Sequence, residues 1–113
     1  MQCDPTPQLA VEFWKLAQAF ERQLGLLDES RRAGGQAQLR YARRRLDALL
    51  GEADLRLAIY DGEPWSPALP ASAVNADEIG GEEHVVETTL EPAVVVASDG
   101  RVVLPGKLVI KEA

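Results

Sequence analysis

The sequence predicts an α+β fold, in which an N-terminal αα-hairpin (residues 1–53) precedes a small all-β domain of short, mostly antiparallel strands (residues 54–113). In the first part, apolar residues recur in steps of three or four, which is the period of an amphipathic helix. The last third is crowded with valines, whose branched side chains suit a pleated sheet better than a helix. Asp99-Gly100 separates two valine runs and predicts a tight primed hairpin turn, which needs positive φ at its central residues.

The first helix is predicted to begin at Thr6-Pro7, with the hydroxyl at N-cap and the proline at N1, and to continue to about residue 27. Val11 and Trp14 lie off the centre of its apolar stripe and make the apolar face wider than a single neighbouring helix would need. Two interpretations stay open: this face packs on the β domain of its own chain, or it associates with a second copy. For the second interpretation, the candidate dimerisation residues are Leu9, Phe13, Leu16, Phe20 and Leu24.

Gly34-Gly35 predicts a break in the helical part, so residues 28–35 are expected to connect the first helix to a second at about 36–50, which Gly51 would end. The short connection favours an antiparallel hairpin. Prolines 92 and 105 are expected at strand ends, because proline cannot donate to a central ladder. The predicted strands cover residues 54–60, 71–74, 84–90, 93–98, 101–104 and 107–111, and an acidic loop, expected to be mobile, covers 75–83.

Six arginines and no acidic residue lie between positions 31 and 45, although the whole chain has a net charge of −6. Arg40, Arg43 and Arg44 share the outer side of the second helix and are candidates for contact with an anionic partner. Three interpretations remain: ion pairs with acids of the first helix, an acidic protein partner, or, as the weakest, nucleic acid or an anionic membrane surface. Nucleic-acid binding is not expected, because it depends on neutralising phosphates and the rest of the chain is strongly acidic.

Catalytic and cofactor chemistry is not predicted. The chain has one cysteine, Cys3, and one histidine, His84, which cannot together form a metal site, and no glycine-rich phosphate-binding motif. No segment reaches the roughly 18 apolar residues of a membrane span, and no signal peptide is recognisable. We therefore expect a cytoplasmic protein that is not an enzyme and needs no cofactor.

Three segments of the β part occur in a recognisable order: residues 60–67 (YDGEPWSP), 85–87 (VVE) and 100–105 (GRVVLP). Over residues 51–111 the chain resembles the C-terminal β domain of GrpE proteins, which carry a G-E-P-F-D-P-like loop, a V-V-E-V strand and an N-G-R-V-L-R-P hairpin. The resemblance implies a homodimeric nucleotide exchange factor, whose β domain opens the cleft of a DnaK-like ATPase domain so that ADP leaves.

The resemblance also implies partner-binding residues. Arg101, in the turn with Asp99 and Gly100, matches a chaperone-facing arginine, with an ordinary hairpin charge as the alternative. Ile110 matches a chaperone-facing apolar residue, with a core residue as the alternative. Trp65, in a loop expected to cover the sheet, would be an interface anchor if exposed. The chain departs from the family in lacking the long stalk helix and in having Trp-Ser where Phe-Asp is usual. A structural adaptor that docks through the β domain and the arginine-rich helix without exchange activity is the alternative, and an anion-binding regulator is a third.

Overall fold

The structure is a computed structural model that describes residues 4–113, so Cys3 lies outside the described residues. Within residues 4–113 two helices are followed by six strands, and the predicted α+β fold is confirmed. The elements are α1 (Thr6–Leu24), α2 (Glu29–Glu52), β1 (Leu55–Ala58), β2 (Ala71–Ala73), β3 (His84–Glu91), β4 (Ala93–Val96), β5 (Val102–Leu104) and β6 (Gly106–Glu112).

The start of α1 differs from the prediction, because Pro5 is the N-cap residue and Thr6 is already helical. The Asp4 carboxylate takes over the role of the cap and accepts hydrogen bonds from the backbone N–H of Thr6 at 2.9 Å and from its hydroxyl at 2.7 Å. The bond from the backbone N–H is the main cause of the lowered pKa of Asp4. At the other end, the Arg32 guanidinium donates to the carbonyl oxygens of Leu24 and Leu27, at 3.3 Å and 2.8 Å.

The second helix begins at Glu29, so the predicted break at Gly34-Gly35 is wrong. Asp28 caps the helix by accepting the N–H of Arg31 at 3.0 Å, and both glycines lie inside α2. The physical reason is packing: a Cβ on Gly35 would overlap Cδ2 of Leu24, with Cγ and Cδ1 each 3.3 Å away. Glycine at this position lets α2 approach α1 closely enough to bury Leu24, and that contact outweighs the low helix propensity of glycine.

The helical pair has its own small core of Ala17, Leu24 and Leu39, with Phe13 packed against it. Arg43 links the two helices on one side of this core. Its guanidinium donates to Gln18 Oε1 at 3.0 Å and to Glu21 Oε2 at 3.2 Å. Gly51 lies within α2, which ends one residue later than the predicted glycine stop and is capped by Ala53.

The six strands form two three-stranded sheets, with the orders β1-β4-β5 and β2-β6-β3. All pairings are antiparallel except that of β2 with β6. Asn75 extends the parallel pairing beyond the end of β2, because its side-chain amide donates to the Ile110 carbonyl at 2.8 Å and accepts the Ile110 N–H at 3.0 Å.

One bent ribbon connects the two sheets. The ribbon consists of two paired segments, β3–β4 and β5–β6. Only Pro92 separates β3 from β4 and only Pro105 separates β5 from β6, so each segment passes from one sheet into the other at a proline. The prolines thus lie at strand ends, as predicted. At this bend, a Cβ on Gly106 would lie 2.6 Å from the Glu91 carbonyl oxygen and 2.8 Å from Ala93 N, so the close crossing requires glycine.

Candidate functional site

The tip of the β4–β5 hairpin is the first of the predicted sites, and its turn is longer than predicted. Residues 97–100 form a four-residue loop, closed by a bond from Gly100 N to the Val96 carbonyl and one from Val96 N to the Arg101 carbonyl, both 2.8 Å. A two-residue primed turn would need positive φ at both central residues, but in this loop only Gly100 has it, at 76°. The strands therefore end earlier than the valine pattern suggests.

Asp99, Gly100 and Arg101 are all exposed at this tip, so the structure brings these three predicted residues together. The Asp99 carboxylate accepts the backbone N–H of Arg101 at 2.8 Å, which fixes the loop just before the arginine. Within the described residues Arg101 forms no ion pair. Its guanidinium is therefore free to pair with an acidic group of another molecule.

Apolar surface adjoins Arg101 on the edge strand β5. Val102 and Val103 are 43% and 44% exposed, although neighbouring strand residues normally alternate between a covered and an open face. We call residues 99–103 the hairpin patch. The hairpin patch combines the unpaired guanidinium of Arg101, the exposed side chains of Val102 and Val103, and the free edge of β5.

The hairpin loop is also tied to the end of α2, through a residue that the sequence analysis did not single out. The Asp54 carbonyl accepts the Ala97 N–H at 2.8 Å, and its carboxylate accepts the Ser98 hydroxyl at 2.6 Å. Asp54 has a φ of 56°, the only positive value among the described non-glycine residues. Asp54 was predicted to begin a strand; the tolerance of aspartate for the left-handed conformation was the one signal available in the sequence.

Ile110 is not a surface residue, and its assignment to partner binding is corrected here. It is 1% exposed and packs with Val86 and Leu108 in the core of the β2-β6-β3 sheet. On β6, Leu108 and Ile110 alternate with Lys107 and partly exposed residues, so they share the covered face.

Trp65 is half-buried and packs against the same core, so most of its ring is unavailable to a partner. Its ring meets that of His84 edge to face, with centroids 6.2 Å apart, and its Nε1 is buried without an acceptor among the described residues. Its loop pairs with β3 through a bridge between Pro64 and Val85. Trp65 thus belongs to the β2-β6-β3 sheet, whereas the hairpin patch belongs to the other sheet.

The α1 helix has two apolar faces with different surroundings. On one, Pro7, Ala10 and Val11 are buried, and Val11 lines the same crevice as residues of the β5–β6 bend. On the other, Leu9, Leu16 and Phe20 are 65%, 70% and 39% exposed. Of the candidate dimerisation residues only Leu24 is enclosed within the chain, and it is corrected to a core residue. An apolar groove of about 320 Å³ lies along the open face and is lined by Phe13, Leu16, Ala17, Phe20, Gln38, Leu39 and Ala42.

The candidate arginines divide into two groups. Arg43 bridges to Gln18 and Glu21 and is therefore committed to the helical pair. Arg40 and Arg44 lie one turn apart on α2, are exposed, and form no ion pair within the part of the chain that the structure describes. The interpretation of the arginines as ion-pair partners of acidic residues in the first helix thus fits Arg43. Arg40 and Arg44 stay available for an anionic partner.

An ion-pair cluster holds α1 to the ribbon bend. Lys15 Nζ lies 2.9 Å from both Glu91 Oε2 and Glu12 Oε2, and Lys107 Nζ lies 3.9 Å from Glu91 Oε1. The hydrogen bond between Lys15 and Glu91 is the main cause of both shifts, lowering the pKa of Glu91 and raising that of Lys15. The cluster joins the helical pair to the residue next to Pro92.

Among residues 4–113, no group of three or more His, Cys, Asp or Glu side chains is placed to hold a metal ion. No helix in this range is both long and apolar enough to cross a membrane. Comparisons of the chain with models of protein families, with curated proteins and with solved structures find no significant match.

Proposed function

We propose that this chain is a noncatalytic, GrpE-like nucleotide exchange factor that binds the ATPase domain of a DnaK-type protein through the hairpin patch. The observation that carries the proposal is the state of Arg101: it is exposed and without an ion pair among the described residues. It follows a loop held by two backbone–backbone hydrogen bonds and by one from its own N–H to the Asp99 carboxylate. A charged anchor on a rigid element loses little conformational entropy on binding, which favours its use in recognition.

Exchange requires no chemistry from this chain. A protein that binds the open-cleft state of an ATPase more tightly than the closed state shifts the population toward the open state and so weakens nucleotide binding. Couplings of this kind are typically about 1–3 kcal/mol, or roughly 5- to 150-fold in nucleotide affinity. An arginine that pairs with its acidic partner only in the open state would supply energy of this order, because bonds to charged groups contribute about 1.5–3 kcal/mol.

The proposal includes a homodimer in which the open faces of two helical pairs form a four-helix bundle. What supports it is a continuous row of uncovered apolar side chains on α1, next to the groove shared with α2. Leu49 of α2, 46% exposed, adds to the apolar surface available. Contiguous apolar area of this kind commonly marks an interface.

A structural adaptor is the alternative, and the exposed, unpaired Arg40 and Arg44 favour it. In that case the arginines would bind an acidic protein, and the β domain would dock on a partner without changing its nucleotide affinity. The two functions differ in one measurable quantity, the rate at which the ATPase releases ADP.

The test is release of a fluorescent ADP analogue from a DnaK-type ATPase domain encoded in the same genome, with and without the full chain. We expect accelerated release, and Arg101→Ala should reduce the acceleration at subsaturating concentration about 10- to 150-fold, as the loss of about 1.5–3 kcal/mol implies. Arg44→Ala is the matched control, since it removes an exposed arginine outside the patch.

Binding without acceleration would assign the chain to the adaptor class. Acceleration that is equally sensitive to Arg44→Ala would show that overall positive charge, and not the hairpin patch, is responsible. Absence of binding to any such ATPase domain would refute the proposed function.

A further inference from the structure

The junction between α2 and the hairpin patch depends on a single residue, Asp54. Its backbone N–H donates to the Gly51 carbonyl at 3.0 Å and so completes the end of α2. Its carbonyl and carboxylate accept hydrogen bonds from Ala97 and Ser98, the first two residues of the hairpin loop. Asp54 therefore contacts the helix on one side and the loop on the other.

The backbone of Asp54 adopts a conformation that residues with a Cβ usually avoid. A φ of 56° lies in the left-handed region, which glycine enters freely and aspartate enters at a cost. Such a conformation persists only where surrounding interactions enforce it. Here the enforcing interactions are the bonds to the helix end and to the hairpin loop.

The loop itself needs an external support. Its bonds between Val96 and Gly100 and between Val96 and Arg101 close it across its own base, and the Asp99 bond is likewise internal. The bonds to Asp54 are the ones, among those of the described residues, that connect loop residues 97–100 to another part of the fold. Without them the loop would be held only by its own closing bonds and by the ends of β4 and β5.

From this geometry we propose that Asp54 is a positioning residue, which holds the hairpin patch in one orientation relative to α2 and so aims Arg101 at its partner. The proposal rests on the proposed function for the identity of that partner. The clamp itself is a property of the free chain. It can therefore be tested with and without the ATPase domain.

Three variants separate the carboxylate from the backbone conformation. Ser98→Ala removes the donor of the side-chain bond and leaves Asp54 intact. Asp54→Gly accepts the positive φ more readily than aspartate but removes the carboxylate. Asp54→Asn retains an acceptor oxygen and, like aspartate, tolerates the left-handed region, so it is the conservative control.

The first measurement is amide hydrogen exchange of the free chain at the protected N–H groups of the loop, those of Val96, Ala97, Gly100 and Arg101. We expect exchange to be at least several-fold faster in Ser98→Ala and in Asp54→Gly, and close to wild type in Asp54→Asn. The amides of α1 serve as the internal reference for global stability. Unchanged exchange at the loop in both disruptive variants would overturn the clamp.

The second measurement is ADP release from the DnaK-type ATPase domain. Ser98→Ala should slow the accelerated release several-fold in the wild-type background and have no effect in the Arg101→Ala background, because a positioning residue acts only through the group that it positions. Equal effects in both backgrounds would overturn the positioning role. Faster loop exchange with no response of the ATPase to the wild-type chain would uphold the clamp and refute the proposed exchange function.

Discussion

Replacing Gly34 and Gly35 by alanine, one at a time, tests the packing of the helical pair. The two glycines are neighbours inside α2, so both replacements make the same chemical change in the same helix. A Cβ on residue 34 would have nothing within 4 Å, whereas one on residue 35 would overlap Leu24 Cδ2. Any difference between the two variants therefore reports the contact with Leu24.

The expected magnitudes follow from two opposing effects. Alanine is favoured over glycine inside a helix by about 0.8–1 kcal/mol, so Gly34→Ala should raise the free energy of unfolding by about 1 kcal/mol. Gly35→Ala gains the same amount but displaces a side chain that is 4% exposed, and overpacking a core costs about 1–3 kcal/mol. Gly35→Ala is thus expected to lie about 1–3 kcal/mol below Gly34→Ala.

The assay is urea unfolding followed by far-ultraviolet circular dichroism, with all chains at the same concentration because dimerisation would make stability concentration-dependent. Equal stabilisation by both replacements would refute the packing of Leu24 on Gly35. Destabilisation by Gly34→Ala would refute the continuous helix and restore the break that the glycine pair predicts from sequence.

Two further predictions concern the open face of α1 and the ion-pair cluster. Leu16→Glu, on the open face of α1, is expected to convert a dimer to a monomer in sedimentation equilibrium. The control Tyr41→Glu, at an exposed position on α2, should leave the dimer intact. A dimer that survives Leu16→Glu contradicts the helical interface. Because the pKa of Glu91 is lowered in the folded state, its stabilising effect is present above the unfolded-state pKa and is lost as the pH falls through the folded-state pKa. The pKa of Lys15 is raised in the folded state, so the stabilisation by the ion pair is lost again as the pH rises through the folded-state pKa of Lys15. Glu91→Gln should therefore lower the free energy of unfolding between these limits and match wild type in acid; a difference from wild type that is independent of pH contradicts the ion pair.

The sequence was sufficient for the features that depend on local pattern. Apolar residues at helical spacing predicted both helices, and branched residues between proline and glycine predicted β3 to β6 to within a few residues at each end. The strand β1 followed from the alternation of polar and apolar residues. The prolines at 92 and 105 also marked the strand ends. These signals are local, because each depends on residues within one element.

Features that depend on contacts between distant residues were missed. The glycine pair has low helix propensity, and only the proximity of Leu24 explains why it lies inside α2. No local sequence pattern indicates the role of Asp54, because its carboxylate accepts a hydrogen bond from a loop more than forty residues later in the chain. For Ile110 a weak signal was present: in a strand, Leu108 and Ile110 share one face, and the opposite face carries Lys107, Val109 and Lys111.

The ribbon bent at Pro92 and Pro105 determines how the β part can come apart. The outer strand β1 pairs only with β4, and the outer strand β2 pairs only with β6. Both outer strands therefore depend on the two continuous segments, β3–β4 and β5–β6, that form the ribbon. An isolated two-stranded hairpin is marginal by itself, and each sheet reaches three strands only by adding one outer strand to the ribbon. We therefore expect loss of the ribbon to unpair both sheets together, so that the β part unfolds as one unit. A small β domain can in this way gain cooperativity from the continuity of its backbone, without a large core.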